Sequence, residues 1–169
     1  VQIPFIQYIA EQFQSDLRIL CLSVNDDLDA KTVAAALRDT EPENVVYIAS
    51  SDFTHYGNRF GYAPYGSDAS AENSASMPFS ALAHSCAAEK MKEVDLKIAA
   101  AAAALDRRTF DRILEETGAT VCGRQPIRVL IEILKLKQAP AGVVKNYYTS
   151  GDILGEYEDM VGYASIVWE

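Results

Sequence analysis

The residues best equipped for chemistry fall in two short segments. The first, Ser50-Ser51-Asp52-Phe53-Thr54-His55-Tyr56-Gly57, gathers hydroxyls, a carboxylate and one of the two histidines of the chain. Asp52 and His55 stand three apart, so on a turn the carboxylate can orient or charge the imidazole. An imidazole titrating near neutral pH is a natural acid, base or metal ligand. The second segment, Thr120-Val121-Cys122-Gly123-Arg124-Gln125-Pro126, places a thiol just before a helix start with an arginine beside it. The positive end of a helix and a guanidinium both favour a thiolate, the form that ligates metals and attacks electrophiles. Each segment also has a plainer reading. Asp52 caps a turn while His55 packs between Phe53 and Tyr56, and Cys122 is a buried, inert thiol.

Other reactive side chains carry less. Cys21 sits in an apolar stretch and reads as core, while His84 and Cys86 flank a helix start and read as surface. Tyr56, Tyr62, Tyr65, Tyr147 and Tyr148 could line a cleft or fill strands and interfaces.

The elements that must hold these segments follow from apolar spacing. Residues 1–13 carry Ile3, Phe5, Ile6, Ile9, Ala10 and Phe13 at helical intervals, with Pro4 in the first turn. Leu17 to Val24 and Asn44 to Ala49 read as buried strands on either side of an alanine-rich helix, Asp29 to Arg38. That order predicts a parallel strand–helix–strand unit with a right-handed crossover. The 50–57 segment then becomes a loop at a strand's carboxyl end, where open α/β sheets place their ligands. Residues 57–80, rich in Gly, Ser, Pro and Tyr, are too long for a plain connector and read as a functional or disordered stretch. Helices are expected over 85–105, from an Asp106 N-cap to Glu116 with Gly118 as stop, and from Pro126 through Leu136. Residues 143–150 and 161–168 close the chain as a strand pair.

The chain has 169 residues, 49% of them hydrophobic, enough for a single α/β domain spanning 1–169. A net charge of −9 with scattered Lys and Arg argues against a nucleic-acid partner. The longest apolar run, Ile98 to Leu105, is far short of a membrane span. Three cysteines without paired spacing suggest a reduced, cytoplasmic setting.

The pair SSDFTHYGNRFGY and TVCGRQPIRVLIEIL, in that order and separated by seventy residues from Asp52 to Cys122, resembles the signature of the Memo family. The opening VQIPFIQYI and the ending VGYASIVW suit the same family. The resemblance implies an α/β fold like that of class III extradiol dioxygenases, a sheet sandwiched by helices with a pocket at one sheet edge. It implies a metal held by His, His and Cys, with an Asp and a further His from the SSDF-x-H loop. By position, Cys122 would be the thiolate ligand and His55 an acid/base or additional ligand, with Asp52 orienting it. Ser50, Ser51 and Arg124 would then hydrogen-bond an anionic ligand. Copper or iron suits such donors better than magnesium. The two histidines of the family's earlier half have no counterpart here, and His84 aligns with neither. An absent N-terminal part is therefore expected, with a second chain, further sequence or an oligomer covering the edge it leaves open.

The function implied is a metal-dependent or redox site, an oxidoreductase in class but not a true extradiol dioxygenase, because a thiolate stands where those enzymes use a carboxylate. The alternatives are a module binding phosphotyrosine-like or other acidic peptides, and a protein partner in a modification system associated with radical-SAM and AMMECR1-type proteins.

Overall fold

The computed structural model describes residues 2–65 and 79–169, and of residues 79–85 the backbone alone. Most of the 57–80 stretch and the side chain of His84 therefore lie outside the described residues. In chain order the elements are α1 (Ile3–Gln12), α2 (Ala30–Thr40), β1 (His55–Tyr56), a 3-10 turn (Asn58–Phe60), α3 (Phe79–Ala103), α4 (Arg107–Thr117), α5 (Arg124–Leu136), β2 (Val143–Thr149), α6 (Ser150–Leu154) and β3 (Met160–Val167).

Local chemistry sets the helix ends. Asp29 and Asp106 accept from the backbone N–H groups of Thr32 and Thr109, satisfying donors that a helix start otherwise leaves orphaned. Gly118 and Gly155 close α4 and α6 in the left-handed conformation. At α6, Thr149 and Asp152 bond each other's backbone N–H in a reciprocal capping box. Helix α5 begins at Arg124, two residues before Pro126, which sits in its first turn where a missing N–H costs nothing.

The sheet is antiparallel, in the order β1-β3-β2. β3 lies at its centre, pairing His55 with Val161 on one side and Thr149 with Gly162 on the other. The ladder reaches beyond β1, since Phe53 N–H donates to the Gly162 carbonyl and Gly162 N–H to the Thr54 carbonyl. The core sits where α3, α4 and α5 meet the sheet, around the fully buried Ile98, Phe110 and Ile131. Arg128 on Asp111 at 2.6 Å and Arg107 on Glu132 at 3.3 Å tie α4 to α5.

Three sequence expectations change. Residues 17–24 and 44–49 form no strand and belong to no ladder, so the parallel strand–helix–strand unit is absent among the described residues. Apolar composition specifies a face to be buried, but a strand also needs a neighbouring main chain. Cys21 accordingly is exposed rather than core. The 50–57 segment is not a loop beyond a strand: its second half is itself the strand β1. Between them, residues 17–24 and 44–49 leave Leu20, Leu22, Val46 and Ile48 exposed, and α1 buries none of its residues.

Candidate metal centre

Two separate parts of the chain converge on one spot. Pairing with β3 fixes residues 53–56, and because strand side chains alternate, Phe53 and His55 face one way while Thr54 and Tyr56 face the other. Thr120, on the link from α4 to α5, grips His55 from both ends of its backbone. Its Oγ1 accepts from His55 N–H at 2.8 Å and donates to the His55 carbonyl at 2.9 Å. Three residues further on, Gly123 caps α5 and donates its N–H to Ser51 Oγ at 2.8 Å. The approach is too close for any larger residue, since a Cβ on Gly123 would lie 2.4 Å from Ser51 Cβ.

These contacts bring Asp52, His55 and Cys122 together, with one ligand atom from each inside a 4.8 Å group. His55 Nε2 lies 3.5 Å from Asp52 Oδ2. The Cys122 sulfur accepts from Asp52 N–H at 3.2 Å, which aims it back into the group. His55 Nε2 is out of contact with solvent and has no hydrogen-bond partner. The carboxylate 3.5 Å away is close enough to attract a charged ring but not placed as a hydrogen-bond acceptor. A buried polar atom without a partner calls for an explanation, and a role as metal ligand is one that fits this donor set. Phe60 walls the imidazole, ring centroid to ring centroid 5.1 Å. The Cys122 sulfur and half-exposed Asp52 leave the centre open to solvent on one side.

The remaining predicted residues stand apart. Ser50 is exposed, and Ser51 spends its hydroxyl on Gly123 and on the Asp52 carbonyl. Arg124 turns away to Asp26, 2.7 Å from Nη2 to Oδ2. That pairing holds the Asp26 carboxyl below its ordinary range, chiefly through the Arg124 hydrogen bond.

Two supports escaped the sequence reading, Thr120 and Asp95. Asp95, on α3, is fully buried and accepts from Thr54 Oγ1 at 2.5 Å, from Thr54 N–H at 3.3 Å and from Tyr147 O–H at 2.9 Å. Desolvation pushes its carboxyl up to about 6, against the pull of those hydrogen bonds. A signal for it was present: Met91, Asp95, Ile98 and Ala102 recur at helical spacing, so an acid interrupts an otherwise apolar stripe.

The family described as Memo-like protein matches residues 1–167. The chain belongs to the Memo family. It is 32% identical to a MEMO1 family protein of Thermococcus kodakarensis over 173 residues, covering 99% of this chain and 54% of that protein. A MEMO1 family protein of Methanopyrus kandleri is 32% identical over 172 residues, with 99% and 50% covered. One from Methanosarcina barkeri is 32% identical over 174 residues, with 100% and 54% covered. The chain thus spans about half the length of the curated relatives it matches. Among the described residues, no helix is long and apolar enough to cross a membrane.

Proposed function

We propose that Asp52, His55 and Cys122 form part of a transition-metal centre serving redox or metal-dependent chemistry. The observation that carries this reading is the orphaned His55 Nε2, 3.5 Å from the Asp52 carboxylate, on a ring that shares a 4.8 Å group of ligand atoms with the Cys122 sulfur. Thiolate and imidazole donors suit copper or iron, either of which would supply one-electron chemistry when bound. In this reading Cys122 and His55 are ligands. Asp52 has two tasks: its N–H orients the sulfur, and its carboxylate holds the imidazole or completes the donor set. Further donors would come from outside these 169 residues. The acidic-peptide alternative has less support, because the Arg124 guanidinium is already engaged by Asp26.

Cobalt(II) tests the reading, because a thiolate ligand gives it an intense charge-transfer absorption. The expected result is that band in a preparation carrying the full Memo-family length and its loss in Cys122→Ser, with the fold retained. A band unchanged in the serine variant, or no cobalt uptake at all, would remove the metal reading.

We further infer that residues 17–24 and 44–49 belong to a larger sheet of the extradiol-dioxygenase type, completed by polypeptide beyond this chain. Grooves of about 260 and 500 Å³ flank residues 45–49, with α5 contributing to the lining of both. Neither segment forms a backbone–backbone hydrogen bond among the described residues, and unpaired main chain of this kind is what added strands satisfy. Amide hydrogen exchange over 44–49 tests it. Fast exchange in these 169 residues alone and protection in a preparation carrying the full Memo-family length are expected; equal rates would contradict the inference.

A further inference from the structure

Asp95 is a charge where a charge is costly. Its carboxylate is fully buried, and no Lys or Arg forms an ion pair with it among the described residues. Its surroundings are Thr54 from the β1 segment and Tyr147 from β2, with the fields of His55, Tyr62 and Tyr65 reaching it. Of these, the His55 imidazole alone can carry positive charge.

The sheet makes room for this carboxylate. A Cβ on Gly162 of β3 would fall 2.2 Å from Asp95 Oδ2 and 2.9 Å from the Tyr147 hydroxyl oxygen. The central strand thus lacks a side chain at the point where Asp95 reaches it. A well-packed apolar side chain would avoid the desolvation cost, so the carboxylate's value lies in the bonds it makes.

Those bonds end beside the metal centre. Thr54 and His55 are neighbours on a strand, so their side chains leave it on opposite faces. Asp95 holds Thr54 by both its N–H and its hydroxyl on the α3 side, while Thr120 holds the His55 N–H and carbonyl from the other. The backbone carrying the imidazole is therefore gripped from both sides just where its direction is set.

We propose that Asp95 is a positioning residue of the metal centre, acting through Thr54 to hold the His55 imidazole in its enclosed place toward Asp52 and Cys122. Its bearing on metal binding rests on the metal reading above. Its hold on His55 does not, and the two can be measured apart.

The experiment uses Asp95→Asn, which keeps the shape and removes the charge, and Thr54→Val, which keeps the carboxylate and removes the hydroxyl that links it to the strand. Met91→Leu, one turn away on the same buried face of α3, controls for a general loosening of the packing. In metal-free protein, carbethoxylation of His55 by diethyl pyrocarbonate is followed by peptide mass mapping. Wild-type His55 should react slowly because Nε2 is enclosed, and both test variants should react about tenfold faster, as should their cobalt(II) affinity fall by about tenfold, the lower end for supporting-shell changes. Met91→Leu should leave both quantities unchanged.

Unchanged His55 reactivity in folded Asp95→Asn and Thr54→Val overturns the proposal, as does an equal rise in Met91→Leu, which would make Asp95 a packing residue only. Should Asp95→Asn fail to fold, Thr54→Val decides alone. Absence of cobalt uptake by the wild-type protein removes the metal reading, while the carbethoxylation rates still decide for or against Asp95.

Discussion

Residues 44–49 and 53–56 are separated by three positions and look alike on paper, short runs of β-branched and aromatic side chains. Their fates differ. Phe53 and Thr54 are buried and hydrogen-bonded into β3, and Asp95 grips Thr54, whereas Val46 and Ile48 are 81% and 57% exposed and their segment pairs with nothing among the described residues. Tyr47 is held by side-chain contacts alone, through its O–H to Glu41 at 2.7 Å and beneath the Lys137 ammonium. The difference teaches that a strand needs a partner main chain before its side chains can settle. Where the chain supplies one, the result is rigid enough to aim an imidazole.

The largest expected effect lies on the closed side. Phe110 has no solvent exposure and joins α4 to the cluster that includes Phe53 and Ile131. Phe110→Ala should cost about 3–5 kcal/mol of unfolding free energy, read by urea denaturation, through lost burial plus a residual cavity. A loss below about 1 kcal/mol would mean that this side is no better packed than the open one.

Next in size is a pH effect. Burial raises the Asp95 carboxyl from 3.8 to about 6, so between those values the folded protein binds more protons at this site than the unfolded chain. The contribution of this site to stability should therefore fall as pH rises from about 4 to 6 and then level off, a loss of roughly 3 kcal/mol. Measured across that range, Asp95→Asn should lack this component. A variant retaining the full wild-type slope would place its origin in other groups.

The caps of α4 were legible in the sequence because they are local: Asp106 and Gly118 need only their own helix. The 143–150 and 161–168 strand pair was legible as well, since both members lie within this chain. So was the meeting of Asp52, His55 and Cys122, read from the residue types and two spaced motifs. The position of β1 was not. Nothing in FTHY marks it as the paired strand over VVYIA, because the choice is made by β3, more than a hundred residues away. Thr120 and Asp95 were missed for a similar reason: their roles come from what they touch across the fold. Arg124 was misdirected by adjacency, since a neighbour in sequence need not point at the thiol.

A sharper probe of the closed side is Gly123→Ala. The new methyl would meet Ser51 and the Ser50 carbonyl within 3 Å, at the junction that brings Cys122 beside Asp52. One of the two must shift, at about 1–3 kcal/mol by analogy with overpacked cores. Cobalt(II) affinity should drop together with stability. Preserved affinity at reduced stability would show that the junction supports the fold without setting the site.

The smallest effect belongs to the open side, and it is the one that makes the comparison risky. Val46→Ser removes an apolar, β-branched side chain from a segment that sequence patterning assigns to a buried strand. In a true core strand that exchange would forfeit burial and leave a hydroxyl to be satisfied, a cost on the order of 2 kcal/mol or more. Here most of the Val46 surface already faces water, so unfolding free energy in these 169 residues should move by less than about 0.5 kcal/mol. The same substitution in a preparation carrying the full Memo-family length should cost several times as much, because added strands would bury the site. Paired denaturation curves measure both values. A large cost in the 169 residues alone would mean that residues 44–49 already pack as a strand, and the contrast between the two segments would collapse.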